Sequence, residues 1–299
     1  MTDLTIKIPA TSANMGSGFD SLGIALDIWN YVRISDGPSE IIFKNDSRNN
    51  LPNDKTNLIS TSFDFLFHNL KITPPNVTIE CENNIPVSRG LGSSSAALIG
   101  GLMAANLYLN SPYTQKDILN MAAELEGHPD NVAPAIYGGM QIGVYDSANL
   151  ITAAVTIPKS INIVLFIPKT EMSTDNARAV LSDNVSRKDA VFNIGRAALL
   201  VQAFSSGDLS NLKYATQDML HQPTRQKLFH PMRNIIQGAL NAGALGAALS
   251  GSGSTIIAFT ESREYTIGYE MADAAMKSGL DGDILVTSIA ESGAQLVTI

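Results

Sequence analysis

The sequence predicts an α+β protein of two domains, and three observations support this prediction. Segments with the two-residue period of strands alternate with segments of helical periodicity along the chain. The length of 299 residues suits two domains or one large one. The apolar pair of segments around Pro158 follows a glycine-rich stretch and precedes a helix-rich half. We therefore place the boundary between an N-terminal domain of residues 1–157 and a C-terminal domain of residues 158–299.

Strands and helices are predicted from the spacing of apolar residues. The predicted strands are Leu4–Ile8, Tyr31–Ser35, Glu40–Lys44, Val77–Glu82, Val155–Pro158, Ile161–Ile167, Thr255–Phe259 and Ile284–Ile289. The predicted helices are Leu58–Leu70, Ser94–Leu109, Thr174–Leu181, Ala190–Phe204, Leu209–Leu220, Met232–Ala242 and Tyr265–Ser278. One more helix runs to about Leu125, and Thr114 with Asp117 three residues later predicts a capping box at its start.

Composition and charge restrict the class of function. Hydrophobic residues make up 44% of the chain and charged residues 16%, which is ordinary for a globular protein. The formal net charge of −8 argues against generic nucleic-acid binding, although a local phosphate site stays compatible with it. The single cysteine, Cys81, cannot form an intramolecular disulfide and favours a reducing compartment. No secretory leader or membrane-length apolar run is recognisable, so we expect a cytoplasmic protein without membrane or nucleic-acid partners.

A glycine- and serine-rich loop is the strongest motif. It reads Pro-Val-Ser-Arg-Gly-Leu-Gly-Ser-Ser-Ser-Ala from Pro86 to Ala96, and a predicted apolar helix follows it directly. Gly90 and Gly92 can adopt backbone angles closed to other residues and let the chain approach a ligand. The N–H groups and dipole of the helix start favour an anion, so the loop suits a nucleotide triphosphate. A glycine-rich turn with a serine N-cap is the alternative, and the lysine of a P-loop is absent.

Three ordered motifs resemble one kinase superfamily. The loop pattern Pro-x-x-x-Gly-Leu-Gly-Ser-Ser-x-Ala resembles the ATP motif of the GHMP kinases, and the segments Pro9–Gly23 and Gly246–Ser254 resemble the other two motifs. The first of these, with its Ser-Ala-Asn-x-Gly-x-Gly-Phe-Asp-x-Leu-Gly pattern, resembles homoserine kinases, as does His128–Pro134 followed by two glycines. The resemblance spans nearly the whole chain. It implies transfer of the γ-phosphate of ATP to L-homoserine, giving O-phospho-L-homoserine for threonine biosynthesis.

The resemblance also implies the GHMP kinase fold, with a ribosomal-S5-like N-terminal domain, a ferredoxin-like C-terminal domain and the active site between them. It implies that the loop wraps the ATP phosphates, through Pro86, Val87, Ser88, Arg89, Gly90, Leu91, Gly92, Ser93, Ser94, Ser95 and Ala96. Asn57 matches the adenine-contacting position, and capping of the helix that follows is its alternative role. The small residues of Ser250–Ser254 are expected to pack close to the loop. A helix C-cap is the alternative for that segment.

The resemblance implies a magnesium site made by Ser94 and Glu126, which match a loop serine and a helix glutamate. Mg²⁺ usually takes only one or two carboxylates besides phosphates and waters. Only Gly127 separates Glu126 from His128, whereas many relatives have several residues there. Glu124 therefore stays open as the alternative ligand.

Homoserine carries a carboxylate and an ammonium, and each needs a partner. Arginine suits a carboxylate because it binds bidentately, and Arg178 and Arg225 match the carboxylate-binding positions of the family. Asp20 is the candidate acceptor for the ammonium. The alternatives are surface positions for the two arginines and turn chemistry for the aspartate.

The hydroxyl of the substrate would be oriented by asparagine rather than activated by a base. Mevalonate-type relatives have an aspartate as general base where this chain has Asn131, and an amide cannot accept the proton. The neighbouring Asp130 is expected to point elsewhere. We hypothesise that Asn131 and Asn14 orient the hydroxyl, and that positioning and charge stabilisation supply most of the acceleration.

Two further residues are assigned to the site by resemblance. His128 would line the substrate pocket, and Thr174 would approach the γ-phosphate or the metal. A structural role is the alternative for the histidine. The resemblance also implies a homodimer.

Three other functions stay open at this point. One is a GHMP kinase that acts on a different small alcohol, and another is a ligand sensor without turnover. The third is an S5-like RNA-binding module, against which the negative net charge counts.

Overall fold

Two β-sheets with helices packed against them organise the fold of the computed structural model, which describes residues 3–44, 51–147 and 149–297. The strands are β1 (Asp3–Ala13), β2 (Leu22–Asp36), β3 (Glu40–Phe43), β4 (Val77–Glu82), β5 (Met140–Asp146), β6 (Asn149–Val155), β7 (Asn162–Pro168), β8 (Gly246–Leu249), β9 (Ile256–Thr260), β10 (Gly282–Thr287) and β11 (Gln295–Leu296). The helices are α1 (Leu58–Asn69), α2 (Ser93–Tyr108), α3 (Gln115–Glu126), α4 (Pro129–Tyr137), α5 (Thr174–Ala179), α6 (Arg187–Ser206), α7 (Leu212–Ala215), α8 (Gln222–Arg225), α9 (Met232–Asn241) and α10 (Glu264–Lys277), with a 3₁₀ turn at Leu209–Asn211.

The long strand β2 is the centre of the first sheet. It pairs antiparallel with β1 on one edge, and with β5 and then β4 on the other. β3 lies parallel to β4, β6 forms a hairpin with β5, and β11 returns to pair with β1. The register between β1 and β2 shifts between Pro9 and Ala10, because a proline cannot donate to the ladder. The end of β1 beyond this bulge leads into the glycine-rich Asn14–Asp20 loop.

The second sheet has the antiparallel order β10-β7-β9-β8. Its strand β7 is buried on both faces. Ile163 and Leu165 pack into a core shared with the first sheet, whereas Val164 and Phe166 pack against a second core that contains residues of α9 and α10. Burial on both faces explains why this segment is a continuous apolar run without alternation.

The α+β prediction is confirmed, and so are most of its elements. The strand Val77–Glu82 has the predicted bounds. In the predicted capping box, Asp117 N donates to Thr114 Oγ1 (3.2 Å) and Thr114 N donates to Asp117 Oδ2 (2.9 Å). The predicted boundary at residues 157 and 158 lies in the connection between the two sheets and stays a prediction. No helix within the described residues is long and apolar enough to cross a membrane.

Two predicted elements are wrong. Only Val155 of the predicted strand Val155–Pro158 is paired, as the last residue of β6, whose upstream residues form a hairpin with β5. The predicted helix Leu209–Leu220 ends at Ala215. It stops because the side chain of Asp218 accepts hydrogen bonds from backbone N–H groups that follow it, which competes with helix continuation.

Candidate active site

A cavity lies where the glycine-rich loop of the first half meets segments of the second half. Val87–Ser94 of the loop, residues at the start of α1 and residues of α4 form one side, and Gly251 and Ser252 belong to the other. The predicted site residues that line it are Asn14, Asn57, Val87, Ser88, Arg89, Gly90, Leu91, Gly92, Ser93, Ser94, Ala96, Glu126, His128, Asn131, Thr174, Arg178 and Arg225. Pro86, Ser95 and Asp20 lie beside it without lining it.

The loop approaches the second half of the chain closely. Gly90 and Gly92 both adopt positive φ angles, of 74° and 71°, and a Cβ at Gly90 would lie 2.1 Å from the Ser250 carbonyl oxygen. Ser250 Oγ donates to the Gly90 carbonyl (2.6 Å), and Thr255 N donates to the Arg89 carbonyl (3.0 Å). The predicted packing of the Ser250–Ser254 segment against the loop is therefore confirmed. The segment is a turn from β8 into β9, so the turn into the next strand is confirmed and the helix C-cap before it is wrong.

We expect Gly90→Ala to destabilise the fold by about 3 kcal/mol, because it adds a steric clash to an unfavourable backbone angle. Gly279→Ala is the matched control, since Gly279 has the same φ of 74° and, among the described residues beyond its chain neighbours, no atom would lie within 4 Å of its Cβ. The control should lose only about 1 kcal/mol. Thermal or urea unfolding of both variants measures the difference. Equal losses would show that the close approach to Ser250 is unimportant.

The start of α2 presents backbone N–H groups to the cavity. Gly92 is its N-cap in the left-handed conformation and makes no side-chain capping bond, so the alternative of a serine cap is wrong. The first turn therefore keeps N–H donors that a phosphate can satisfy. Arg89 instead faces the second sheet, where Nε donates to the Pro168 carbonyl (2.7 Å) and Nη2 to the Lys169 carbonyl (2.7 Å).

Glu126 lies against this helix start. It is the last residue of α3, and Gly127 ends the helix in a left-handed turn. Ser94 Oγ donates to Glu126 Oε2 (3.0 Å) and Ser95 Oγ donates to Glu126 Oε1 (2.9 Å). The alternative residue Glu124 is exposed and does not line the cavity. The short connection to His128 is therefore compatible with Glu126 beside Ser94.

Helix α4 carries the next group of site residues and was not predicted, because it contains two prolines. Pro129 occupies its first turn, where no N–H is needed, and Pro134 lies inside it. Pro134 has no N–H and cannot donate to the carbonyl of Asp130. This carbonyl contacts the backbone of β2 at Gly23, where a Cβ would lie 1.7 Å from the Asp130 carbonyl oxygen. Only glycine permits this contact, which fixes α4 against the sheet.

The polar side chains at the start of α4 have separate partners. Asn131 Oδ1 accepts a hydrogen bond from Thr11 Oγ1 (2.8 Å), which leaves Asn131 Nδ2 without an acceptor among the described residues. Asp130 is buried, and its Oδ1 lies 2.7 Å from His128 Nδ1. Sequence reasoning missed the role of Thr11, because a threonine at the end of a strand is common.

The pair of His128 and Asp130 makes stability depend on pH. Burial disfavours the charged imidazole, but the hydrogen bond and charge of Asp130 outweigh it and raise the pKa of His128 above its ordinary value of 6.5. A raised pKa contributes stability that is fully present below about pH 6.5 and is lost as the pH rises through the folded-state value.

We therefore expect the melting temperature of the wild type to exceed that of His128→Gln most at acidic pH, and the difference to shrink as the pH rises. Melting curves of both proteins from about pH 5.5 to about pH 8.5 measure it. His68→Gln, at an exposed position, is the control. A difference that grows with pH would contradict the charged pair.

Asp20 and Arg178 form a bidentate ion pair at the cavity, which Arg178 lines. Arg178 Nη2 donates to Asp20 Oδ1 (2.8 Å) and Nη1 donates to Asp20 Oδ2 (3.1 Å), and each side chain is 36% exposed. Asn14 fixes the Asn14–Asp20 loop, because its Oδ1 accepts from Asp20 N (2.9 Å) and its Nδ2 donates to the Gly251 carbonyl (3.1 Å). Asp20 and Asn14 both have positive φ, so the predicted turn chemistry coexists with the ion pair.

Arg225 lies next to this pair but is only 1% exposed, so its alternative as a surface residue is wrong. Its Nε donates to the Ala177 carbonyl (3.1 Å), and its Nη1 donates to the Gly251 carbonyl (3.0 Å) and to His221 Nδ1 (3.0 Å). Burial, and then the like charge of Arg178, lower the pKa of Arg225 to about 10. The absence of a carboxylate among these partners leaves room for an anionic ligand.

Two other predicted residues have defined positions. Thr174 begins α5, and its Oγ1 lies 3.3 Å from Ser252 Oγ in the cavity wall. Asn57 caps α1, because its Oδ1 accepts from Ile59 N (2.9 Å) and its Nδ2 donates to the Pro52 carbonyl (2.7 Å). The capping role proposed as the alternative for Asn57 is therefore confirmed, whereas adenine contact stays a prediction.

Comparisons with known proteins agree with this geometry. The family models described as GHMP kinases N terminal domain and GHMP kinases C terminal match residues 57–139 and 200–275. The chain is 42% identical to homoserine kinase from Desulfitobacterium hafniense over 98% of its length and 99% of the relative. It is 37% identical to homoserine kinase from Carboxydothermus hydrogenoformans, covering 97% of the chain and 95% of the relative. The crystal structure of homoserine kinase from Cytophaga hutchinsonii superimposes with a TM-score of 0.88 at 30% identity, covering 99% and 98%.

Proposed function

The chain belongs to the GHMP kinases and, within them, to the homoserine kinases, and from this premise we propose that it transfers the γ-phosphoryl group of ATP to the hydroxyl of L-homoserine. The predicted GHMP kinase fold, with its N- and C-terminal domains, is therefore confirmed. The product is O-phospho-L-homoserine, an intermediate of threonine biosynthesis. A homodimer is a further proposal that rests on resemblance to the family, and a cytoplasmic location is one that rests on the composition of the chain.

One observation carries the substrate assignment. Arg178 and Arg225 line the cavity together with the glycine-rich loop and the start of α2, and Asp20 beside the cavity pairs with Arg178. A zwitterionic amino acid suits these three side chains, because its ammonium needs a carboxylate and its carboxylate needs a planar cation. A sugar or a mevalonate-like acid lacks an ammonium group to pair with the aspartate.

The nucleotide would bind along the loop, with its phosphates on the N–H groups at the start of α2. The apolar wall near the start of α1, which includes Val32, Phe43 and Ile59, suits a purine ring. We propose that Asn57 shapes this end by fixing the first turn of α1.

Mg²⁺ fits the donors at the loop. Glu126 and the hydroxyl of Ser94 adjoin the proposed phosphate site, and they are the hard oxygen donors that Mg²⁺ prefers. No cluster of three or more His, Cys, Asp or Glu side chains suited to a metal occurs in the described ranges, which agrees with an ion that takes its remaining ligands from phosphate and water. When bound, Mg²⁺ would neutralise charge on the phosphates.

The protein's own residues would then position the acceptor. Asn131 Nδ2, held by the bond from Thr11 to the other end of the amide, can accept no proton but can donate to the substrate oxygen. Asp130 is already paired with His128, so it is poorly placed to act as a free base. Phosphoryl transfer through a loose transition state needs little proton removal before bond formation. The hydroxyl proton would leave to phosphate or solvent.

The experiment that tests the proposed function is a coupled ADP-release assay with ATP and Mg²⁺. The panel comprises L-homoserine, D-homoserine, L-serine, L-threonine, mevalonate and galactose. Strong turnover of L-homoserine alone supports the proposal. Preferred turnover of another alcohol would refute the substrate assignment, and no turnover of any would favour a ligand sensor.

We expect Asn131→Ala to lower kcat about tenfold to a hundredfold, because the hydroxyl loses its orienting donor. Asp130→Asn should lower kcat much less, since this carboxylate supports His128 and is not the base. Steady-state kinetics of both variants at saturating ATP measures the contrast. Unchanged kcat in Asn131→Ala, or a loss of several orders of magnitude in Asp130→Asn with an intact fold, would contradict the base-free mechanism.

A further inference from the structure

The guanidinium of Arg225 is held from three sides, and one of the three acceptors is a side chain. Nε and Nη1 are saturated by the carbonyls of Ala177 and Gly251 and by His221 Nδ1. Nη2 has no acceptor among the described residues, and Arg225 lines the cavity. The direction of this remaining nitrogen is therefore set by the groups that bind the other two.

His221 is buried completely and has a defined tautomer. Because arginine is only a donor, Nδ1 of the imidazole must accept from Arg225 Nη1, so the proton is on Nε2. Nε2 donates to the Gly16 carbonyl (2.9 Å), and the ring stacks on Phe19 with centroids 5.1 Å apart. The same ring therefore touches Arg225 on one side and the loop that carries Asp20 on the other.

The backbone around His221 is fixed by Asp218. Asp218 Oδ2 accepts from the backbone N–H groups of His221 (2.9 Å) and Gln222 (2.7 Å), and Oδ1 accepts from Asn193 Nδ2 (2.8 Å). This holds the start of α8, whose helical spacing places Arg225 one turn after His221 on the same face. Every hydrogen-bonding atom of the imidazole thus has a partner in a rigid setting.

From this array we propose that His221 is a positioning residue, which orients the Arg225 guanidinium toward the substrate carboxylate and fixes its distance from the Asp20 loop. The inference rests on the proposed function. It adds a residue that touches neither substrate nor nucleotide but determines how tightly Arg225 binds the substrate carboxylate. This role requires the neutral imidazole, because a proton on Nδ1 would point at the N–H of Arg225 and the hydrogen bond between them would be lost.

The test separates the two hydrogen bonds of the ring. In His221→Asn, the Oδ1 atom can replace Nδ1 as the acceptor for Arg225. In His221→Gln, the amide nitrogen can replace Nε2 as the donor to Gly16, but the acceptor for Arg225 is lost. His230→Gln makes the same change at an exposed position in the same segment and is the control. Each protein is assayed with L-homoserine and with L-homoserine carboxamide, which lacks the negative charge.

We expect His221→Gln to raise the KM for L-homoserine at least about tenfold, which corresponds to the loss of a hydrogen bond to a charged group. The KM for ATP should change by less than about twofold, and kcat/KM for the carboxamide should change far less than that for homoserine. His221→Asn should recover most of the lost affinity, and His230→Gln should behave as the wild type.

The outcomes are distinguishable from those of the proposed function. If the wild type does not phosphorylate L-homoserine, both proposals fall. If the wild type does phosphorylate L-homoserine, only the role of His221 falls in two cases. One is that His221→Gln keeps the wild-type KM, and the other is that its kcat/KM falls by the same factor for L-homoserine and for the carboxamide. Equal loss of both substrates together with a lower melting temperature would identify His221 as a purely structural residue.

Discussion

Glu126→Gln is expected to lower kcat/KM about a hundredfold or more. The carboxylate lies at the N-terminus of α2 and accepts from Ser94 and Ser95, so it fixes both hydroxyls where the phosphates and Mg²⁺ are proposed to bind. A neutral amide keeps the shape but removes the charge that attracts the cation, and loss of even a group that supports a metal ligand costs about tenfold to a hundredfold. The required Mg²⁺ concentration should rise in parallel.

Glu124→Gln is the matched control for this result. It makes the same chemical change two residues earlier on the same helix, but at an exposed position outside the cavity. Its kinetics should match the wild type within about twofold, as expected for a surface substitution. If Glu124→Gln were the damaging variant, the magnesium site would be assigned to the wrong carboxylate. Thermal melts exclude unfolding as the cause.

The contrast between Glu126 and Asn57 shows what sequence can predict about this site. The loop is recognisable from its local pattern of glycines before Ser93, whereas Glu126 was assigned only by resemblance to the family, with Glu124 as the alternative. Asn57 had two roles of equal standing, because an asparagine before a helix is also a common cap. Only the structure shows that both ends of its amide are engaged within the protein.

Contacts between distant segments were harder to predict. Thr11 meets Asn131 and Asn14 meets Gly251 across sequence separations of 120 and 237 residues, and no periodicity records such pairs. Helix α4 was missed because proline is a helix breaker in isolation, whereas here the carbonyl left unpaired packs against Gly23. His221 carried no signal beyond its position one helical turn before Arg225.

The ion pair between Asp20 and Arg178 has a consequence for substrate binding. Without a ligand the two side chains satisfy one another. A zwitterionic amino acid carries the same two charges in the opposite order, so it can replace the pair with two new ones and leave no charge unpaired. A substrate that lacks either charge would break the pair without this compensation, and we propose that this difference would favour amino acids as substrates.

Arg178→Met should lower kcat/KM for L-homoserine about a hundredfold, mostly through KM, because truncation removes a bidentate partner of the carboxylate. The fold should be nearly as stable as the wild type, since both side chains are partly exposed and exposed ion pairs contribute little. Arg187→Met, at an exposed position at the start of α6, is the control and should leave the kinetics unchanged.

A double-mutant cycle with Asp20→Asn tests the exchange of partners directly. Arg178 and Asp20 are proposed to bind the two ends of one substrate, and they also bind each other. Substituting one of them should therefore lower kcat/KM less in a variant that already lacks the other than in the wild type. The double variant should therefore lose less than the product of the two single losses in kcat/KM. Losses that multiply would mean that the residues act independently, and a wild-type KM in Arg178→Met would leave Arg225 as the sole carboxylate-binding cation.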